Sequence, residues 1–214
     1  MEDIVRRASE NIRSLVSRLN VKLEDARVSI GGGNVLLLPA ASAVRNIENV
    51  AMLLGDKAAR KVTYLYGKSA AEETARILFE VLKIEDPLER IIHGPLIFSA
   101  SGIGSADLLT FKFDGTYFES LWECPNSVFV EEYMRGKFKM LKPPLCDFLA
   151  GYSAGWIQSA TGIKLDTIEV WCRAQGKENC RFLVAPPAML YKLKSLPENL
   201  KPSSEYQTVR VRFQ

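Results

Sequence analysis

One stretch, residues 143–184, constrains the fold of this chain most, because it joins a helix and a β-hairpin to three of the four cysteines. Prolines before the helix and a glycine after it predict a helix that runs to about Thr161. Two strands joined by a turn that contains Gly and Asn are predicted at 163–173 and 180–184. A thiolate is favoured in the first turn of a helix, and a hairpin brings cysteines at its two ends together. The stretch is therefore a candidate to close on one metal ion.

The candidate metal ligands can be named from residue type. Zinc takes four ligands from Cys, His, Asp and Glu in a tetrahedron, and the candidates here are Cys146, Glu169, Cys172 and Cys180. Side chains alternate along a strand, so Glu169 and Cys172 point to opposite faces unless the strand has a bulge or a twisted edge. Cys124 is a competing fourth ligand, which would give a four-cysteine site. Spacing alone leaves a metal site and a core of buried, reduced cysteines equally open.

The composition is that of one ordinary soluble domain. The 214 residues are 47% apolar and 25% charged, and the net charge of +3 is not gathered in one run. Nucleic-acid binding usually needs a concentrated basic patch, and the nearest candidate, 135–139, is short. Apolar runs such as 35–41 are too short to span a bilayer, and the charged N-terminus indicates no signal peptide. We therefore expect a cytoplasmic protein with no membrane span and no direct nucleic-acid contact, in which neighbouring cysteines bind metal.

The remainder of the chain is predicted to alternate between helices and strands. Apolar residues at three- and four-residue steps predict an amphipathic helix over 3–20, which packs on its own domain or on a second copy, so that residues 1–25 are a candidate dimerisation arm. Gly67 indicates close helix packing or a break between two helices. Further helices are predicted at 41–53, 58–82, 87–92 and 127–137, strands at 27–30, 35–38, 95–99, 108–114 and 117–122, and a C-terminal tail at 188–214, in which 209–213 is a candidate edge strand.

The cysteine and glycine pattern resembles a known family. It reads Cys146-x4-Gly151-Tyr152-x2-Gly155, then Gly162, then Glu169-x2-Cys172-x-Ala174-x-Gly176-x3-Cys180-x-Phe182. This pattern resembles the 4-vinyl reductase domain, which is found in stand-alone archaeal hydrocarbon-binding proteins and in the sensor halves of bacterial aromatic-responsive activators. That fold is similar to TRAPP trafficking subunits and haem nitric-oxide-binding domains. The core of the likeness covers residues 120–187, and a weaker likeness makes 26–187 the expected ligand-binding domain.

The resemblance implies an α+β fold, with an antiparallel sheet and helices packed around an enclosed apolar pocket. It also selects Glu169 over Cys124 as the fourth ligand. The implied structural zinc is held by Cys146, Glu169, Cys172 and Cys180. Four protein ligands close the coordination sphere, so no position is left for a catalytic water.

The resemblance further implies a ligand-binding pocket beside the zinc. In the aromatic sensors a Trp and a His hold a phenolic ligand. Trp122 matches that Trp, Trp156 matches an aromatic pocket position, and Phe98 stands in place of the His, since the only histidine, His93, lies five residues earlier. A Phe cannot hydrogen-bond a phenol. Each of the three aromatic residues can also be ordinary core.

Together these patterns favour a binding module over an enzyme. The expected function is a zinc-containing sensor or carrier for a hydrophobic or aromatic ligand, acting as a homodimer with a regulatory protein partner. The alternatives are an interaction scaffold of the TRAPP type and a tetrapyrrole vinyl reductase. A single histidine and closed metal ligation leave few catalytic candidates, and no flavin or nicotinamide fingerprint is present.

Overall fold

A four-stranded antiparallel sheet and the helices against it position the cysteine stretch. The computed structural model describes residues 1–22, 24, 27–30, 33–36, 38–136 and 141–192. Over those residues, seven helices and two antiparallel sheets confirm the predicted α+β class. The helices are α1 (Glu2–Val16), α2 (Ala40–Leu54), α3 (Asp56–Leu82), α4 (Pro87–Ala100), α5 (Val128–Met134), α6 (Asp147–Thr161) and α7 (Pro187–Lys192). The strands are β1 (Asn20–Lys22), β2 (Arg27–Ile30) and β3 (Gly33–Asn34) in one sheet, and β4 (Asp107–Phe113), β5 (Phe118–Cys124), β6 (Asp166–Trp171) and β7 (Cys180–Ala185) in the other, in the order β4-β5-β7-β6. None of the helices described is long and apolar enough to cross a membrane.

Helices α3 and α6 cross with their backbones in contact. The glycines on the two helices permit this close packing, and Gly67 does not break α3. A Cβ built on Gly67 would collide with the Phe148 carbonyl of α6. In the reverse direction, a Cβ on Gly151 would collide with the Tyr64 carbonyl of α3. Gly155 meets α3 in the same way one turn further on. Helix α3 is therefore continuous through Gly67, and only glycine permits this approach.

Helix α1 packs on α4 of the same chain. Ala8 and Ile12 are fully buried there, and Asn11 Nδ2 lies 3.4 Å from His93 Nε2 of α4. Of the two packing partners considered for this helix, the chain's own domain is therefore the one observed, and a homodimer stays a prediction. The helix ends at Val16 rather than at residue 20, because strand β1 begins at Asn20.

The predicted strand at 95–99 is wrong, because these residues continue helix α4 to Ala100. The Asp86 side chain caps the helix by accepting from Glu89 N at 2.7 Å. Pro95 lies inside the helix, where it removes one backbone hydrogen bond. The segment packs on α6, where the Trp156 ring lies so close to Gly94 that a Cβ would be 2.6 Å from its Cδ1. Tertiary packing thus overrides the local strand preference of Ile97 and Phe98.

Other predicted helix and strand boundaries differ from the observed ones by a few residues. The predicted strand at 35–38 is wrong: of the residues described there, none is in a strand, and β3 comprises only Gly33–Asn34. Cys146 is the N-cap of α6 rather than a residue of its first turn. Helix α7 occupies the start of the predicted tail at 188–214. The candidate edge strand at 209–213 lies outside the described residues, and the domain boundaries stay predictions.

Candidate metal centre and apolar cavity

The four predicted metal ligands lie together at one end of the four-stranded sheet. One ligand atom from each residue falls within 4.8 Å of the other three. Cys146 comes from the N-cap of α6, Glu169 from β6, Cys172 from the residue after β6, and Cys180 from the first residue of β7. The start of α6 and the β6–β7 hairpin therefore converge on a site that can accept one cation.

A β-bulge brings Glu169 to the same side as the cysteines. The pairing between β6 and β7 shifts between Glu169 and Trp171, so that Glu169 faces Phe182 and Trp171 faces Arg181. The extra residue reverses the alternation of side chains along β6, so that Glu169 and Cys172 lie on the same face. The sequence requires such a bulge if both residues are metal ligands. After Cys172, a 3₁₀ turn ends at Gly176 with a φ of 83°, and the chain returns to Cys180.

Backbone N–H groups hold the candidate ligands in place. Cys146 N donates to Glu169 Oε2 at 3.0 Å, and Arg173 N donates to Cys180 Sγ at 3.4 Å. The other carboxylate oxygen, Glu169 Oε1, is buried and finds no hydrogen-bond partner among the described residues. Leaving a buried acceptor unpaired is unfavourable. A cation within the cluster would satisfy this oxygen.

The sulfur spacing fits a tetrahedral metal. Cys146 Sγ and Cys180 Sγ are 3.6 Å apart. A Zn–S distance of about 2.3 Å in a tetrahedron places two sulfurs about 3.8 Å apart. Three thiolates and one carboxylate are a donor set typical of zinc among the common biological metals. The residues present therefore fit a zinc ion.

Protons and a cation compete for the four groups of the cluster. Burial, and next the charge of Cys172, raise the pKa of Glu169 to about 9. Hydrogen bonds from the thiols of Cys146 and Cys180 lower the pKa of Cys172. Donating its hydrogen bond to Cys172 raises the pKa of Cys146. Without a cation the cluster therefore favours one thiolate, and a bound metal is needed to ionise all four groups together.

Cys124 lies beside this cluster but is not part of it. Its thiol donates to Asn126 O at 3.0 Å, and burial raises its pKa. Cys124 pairs in register with Cys180 across β5 and β7. The four ligand atoms that converge therefore do not include its sulfur.

An apolar cavity lies between α4, α6 and the sheet. Phe98, Trp122 and Trp156, the three predicted pocket residues, all line it. The cavity volume is about 30 Å³, and its remaining walls are formed by Gly94, Pro95, Ala106, Glu123, Cys124, Leu149, Tyr152, Ser153, Ile157 and Phe182. By this measure about one or two water molecules would fit, whereas an engineered cavity that binds benzene is about 150 Å³. A one-ring ligand therefore requires the side chains of the wall to shift.

An aromatic ladder runs along α6 and contributes Tyr152 and Trp156 to the cavity wall. Phe148, Tyr152 and Trp156 are four residues apart, and their successive ring centroids lie 6.2 and 6.4 Å from one another. Phe98 of α4 packs against Tyr152 at 5.2 Å. Aromatic pairs at such distances stabilise each other beyond simple area burial.

Sequence reasoning missed Tyr152 and Phe182 as cavity residues. Both were part of the family pattern, and both could have been found from periodicity. Tyr152 is one helical turn before Trp156, and Phe182 is two residues after Cys180 on a strand, so it shares the face of Cys180. His93 precedes the wall residue Gly94 but does not itself line the cavity: it is fully buried on α4, and its Nδ1 lies 2.8 Å from Glu89 O.

The metal cluster and the cavity share their supporting elements. Helix α6 begins at the metal ligand Cys146 and lines the cavity from Leu149 onward. Strand β7 supplies Cys180 to the cluster and Phe182 to the cavity. A displacement of either element therefore changes both sites.

Comparison with known proteins identifies the fold through solved structures. No family model matches the sequence, and no curated protein matches it. Among solved structures, the chain is similar to the phenol-responsive sensory domain of the transcription activator PoxR, crystallised with phenol, with a TM-score of 0.73 and 18% sequence identity. The match covers 83% of this chain and 89% of that one. The resemblance to sensor domains of aromatic-responsive activators is therefore confirmed at the level of the fold.

Proposed function

We propose that this chain binds a small hydrophobic or aromatic molecule in the apolar cavity, and that a structural zinc at Cys146, Glu169, Cys172 and Cys180 supports the cavity wall. It would act as a sensor or carrier rather than as an enzyme. The observation that carries the proposal is the cavity lined by Phe98, Trp122 and Trp156. Small ligands usually bind where apolar and aromatic side chains converge, and here the wall must open before a ring fits.

The likeness to the PoxR sensory domain supports this proposal. That domain is described as phenol-responsive and was crystallised with phenol. A shared fold does not by itself transfer a ligand, so the argument rests on the cavity of this chain. The membership in the 4-vinyl reductase family that the sequence pattern implies belongs to the same proposal.

The zinc would be structural in this proposal. When bound, zinc would compensate the negative charge of three thiolates and one carboxylate. The chain's own residues would fix the ends of β6 and β7 against the start of α6, because the four ligands come from these elements. With four protein ligands the metal has no open position for a substrate.

The ligand-binding proposal is tested by thermal shift and tryptophan fluorescence with a panel of aromatic compounds and fatty acids. Trp122 and Trp156 line the cavity and should report binding directly. A variant Ala106→Leu fills the cavity and should abolish the shift, whereas Ala188→Leu, at an exposed position on α7, should keep it. Absence of stabilisation by every compound in the panel would contradict the function.

A second function, contact with another protein chain, is supported by the exposed apolar end of α2. Met52, Leu53 and Leu54 are 61%, 80% and 64% exposed. Contiguous exposed apolar side chains mark interaction sites on soluble proteins. We propose that this end packs on a second copy of the chain. Sedimentation equilibrium would then give a dimer that Leu53→Lys dissociates, and a monomeric wild-type protein would contradict the proposal.

A further inference from the structure

Arg60 of α3 joins that helix to the chain segment that leads into Cys146. Its guanidinium donates to two backbone carbonyls of this segment, from Nη1 to Pro144 O at 2.5 Å and from Nη2 to Lys142 O. Nη1 also donates to Asp147 Oδ2 at 3.2 Å, on the first residue of α6. These acceptors lie on both sides of the candidate metal ligand Cys146 in the sequence. One side chain therefore holds the chain immediately before and after that ligand.

The segment before Cys146 has few means of fixing its own backbone. Residues 141–146 form neither a helix nor a strand, and Pro143 and Pro144 have no backbone N–H to donate. A partly buried carbonyl such as Pro144 O needs a donor, and Arg60 supplies it. The position of Cys146 is therefore set in part by a contact with α3, more than 80 residues away in sequence.

Arg60 is itself held in one orientation. Asp56, one helical turn earlier on α3, accepts from its Nε at 2.8 Å. The Arg60 side chain is only 26% exposed. A guanidinium is planar and carries its donors in fixed directions, so it can satisfy several acceptors at once in a way that a lysine ammonium cannot. The Arg60 side chain is therefore a rigid link between α3 and the start of α6.

The charge of Arg60 suits a cluster that has bound a metal. A divalent cation held by three thiolates and one carboxylate leaves the centre with a net negative charge, and burying such a charge is unfavourable without a cation nearby. Arg60 attracts the Glu169 carboxylate electrostatically. This attraction acts when Glu169 is ionised, which is its state when it binds a metal.

We infer that Arg60 is a positioning residue of the metal centre, because it sets the backbone from which Cys146 reaches the metal. The inference rests on the structural zinc of the proposed function and goes beyond it, since Arg60 is not one of the four candidate ligands. Replacing a group that orients metal ligands from outside the coordination sphere typically weakens metal binding by about 10–100-fold. Arg60→Met keeps an unbranched side chain and removes every donor, so it should weaken zinc binding by about that factor.

The test measures the zinc affinity of the full chain by competition with a chelator of known affinity. Arg76→Met is the matched control, because Arg76 lies about 24 Å further along α3 and forms its salt bridges with Glu73 and Glu80. We expect the control to bind zinc as tightly as the wild-type protein, whereas Arg60→Met binds it about 10–100-fold more weakly.

Cobalt(II) in place of zinc gives a second readout, which a loss of stability alone would not change. The thiolate-to-cobalt charge-transfer absorption grows with the number of thiolates on the metal, and Cys146→Ser supplies the reference for a site that lacks this thiolate. In Arg60→Met at saturating cobalt, the absorption should fall toward the Cys146→Ser value, because Cys146 is the ligand that Arg60 positions.

The outcomes separate this inference from the zinc site on which it rests. A folded Arg60→Met protein with wild-type zinc affinity overturns the positioning role and leaves the zinc site standing. Weaker zinc binding with unchanged cobalt absorption would show that only the charge of Arg60 matters, and would also overturn it. Wild-type protein that binds neither zinc nor cobalt overturns both. Should Arg60→Met fail to fold, Arg60→Lys decides: it keeps the charge but loses the planar donors, so unchanged zinc affinity in that variant refutes the inference.

Discussion

The crossing of α3 and α6 gives a prediction in which two physical effects have opposite signs. Gly→Ala within a helix normally stabilises a protein by up to about 1 kcal/mol, because alanine has the higher helix propensity and restricts the unfolded chain. At Gly151 the added Cβ would lie 2.8 Å from the Tyr64 carbonyl carbon and 3.0 Å from Lys68 N, and closer still to the Tyr64 oxygen. We therefore expect Gly151→Ala to destabilise the protein.

The distances at Gly151 set the size of the expected destabilisation. Carbon atoms prefer a separation of about 3.5–4.0 Å, so the two helices would have to move apart by about 1 Å. A gap of this size forfeits about a quarter to a half of the dispersion energy at the contact. Overpacking of this kind typically destabilises by about 1–3 kcal/mol. After the helix-propensity gain, the free energy of unfolding should fall by about 1–2 kcal/mol.

Urea unfolding followed by circular dichroism measures this change. Ser69→Ala on the exposed side of α3 is the matched control, and its effect should stay within about 0.5 kcal/mol. Because α6 also carries Cys146 and Trp156, the displaced helix should weaken zinc and ligand binding as well. Equal or greater stability of Gly151→Ala would refute the close crossing.

Three further predictions concern the metal, an acid-sensitive histidine and a buried tyrosine. Cys172→Ser should lose zinc, measured by inductively coupled plasma mass spectrometry, whereas Cys124→Ser, an equally buried cysteine outside the cluster, should retain it; equal zinc in both variants would count against the proposed ligand set. Burial lowers the pKa of His93, so below pH 6.5 the unfolded chain binds the proton first, and stability should fall by up to about 1.4 kcal/mol per pH unit as the pH falls toward the folded pKa. His93→Gln should remove this part of the acid sensitivity in urea titrations between pH 4.5 and 7, and an unchanged slope would contradict the assignment. Tyr64→Phe should destabilise by about 1–3 kcal/mol, because Tyr64 donates to the Asp166 carboxylate at 2.7 Å in a partly buried site, and a change below 0.5 kcal/mol in urea unfolding would show that water replaces the hydroxyl.

The metal cluster could be predicted from the sequence because its constraints are local or periodic. A helix N-terminus supplies Cys146, and a turn returns the chain from Cys172 to Cys180. The one awkward residue, Glu169, required a bulge, and the structure has a register shift at that position. Residue spacing could not decide whether Glu169 or Cys124 is the fourth ligand, since both are near Cys180. Only the family pattern, and then the geometry, separated them.

Helix α4 shows what the sequence could not indicate. A proline followed by Ile97 and Phe98 is locally consistent with a strand, and the segment was predicted to be one. In the structure the segment is a helix that packs on α6 through Gly94 and Trp156, residues far apart in sequence. The cavity depends on this helix, because Phe98 reaches it only from α4. Three wall residues, Phe98, Trp122 and Trp156, were therefore predictable, but the remaining walls and their arrangement depended on long-range packing.

The pairing of β5 with β7 places Trp122 opposite Phe182 and Cys124 opposite Cys180. A slip of β7 by one residue would turn Cys180 and Phe182 to the opposite face together. A misaligned chain could then neither complete a metal cluster nor wall the cavity. A cation that binds these ligands during folding would therefore stabilise only the chains in which β7 has the correct register. Refolding with zinc present should accordingly give a higher yield of native protein than refolding with a chelator.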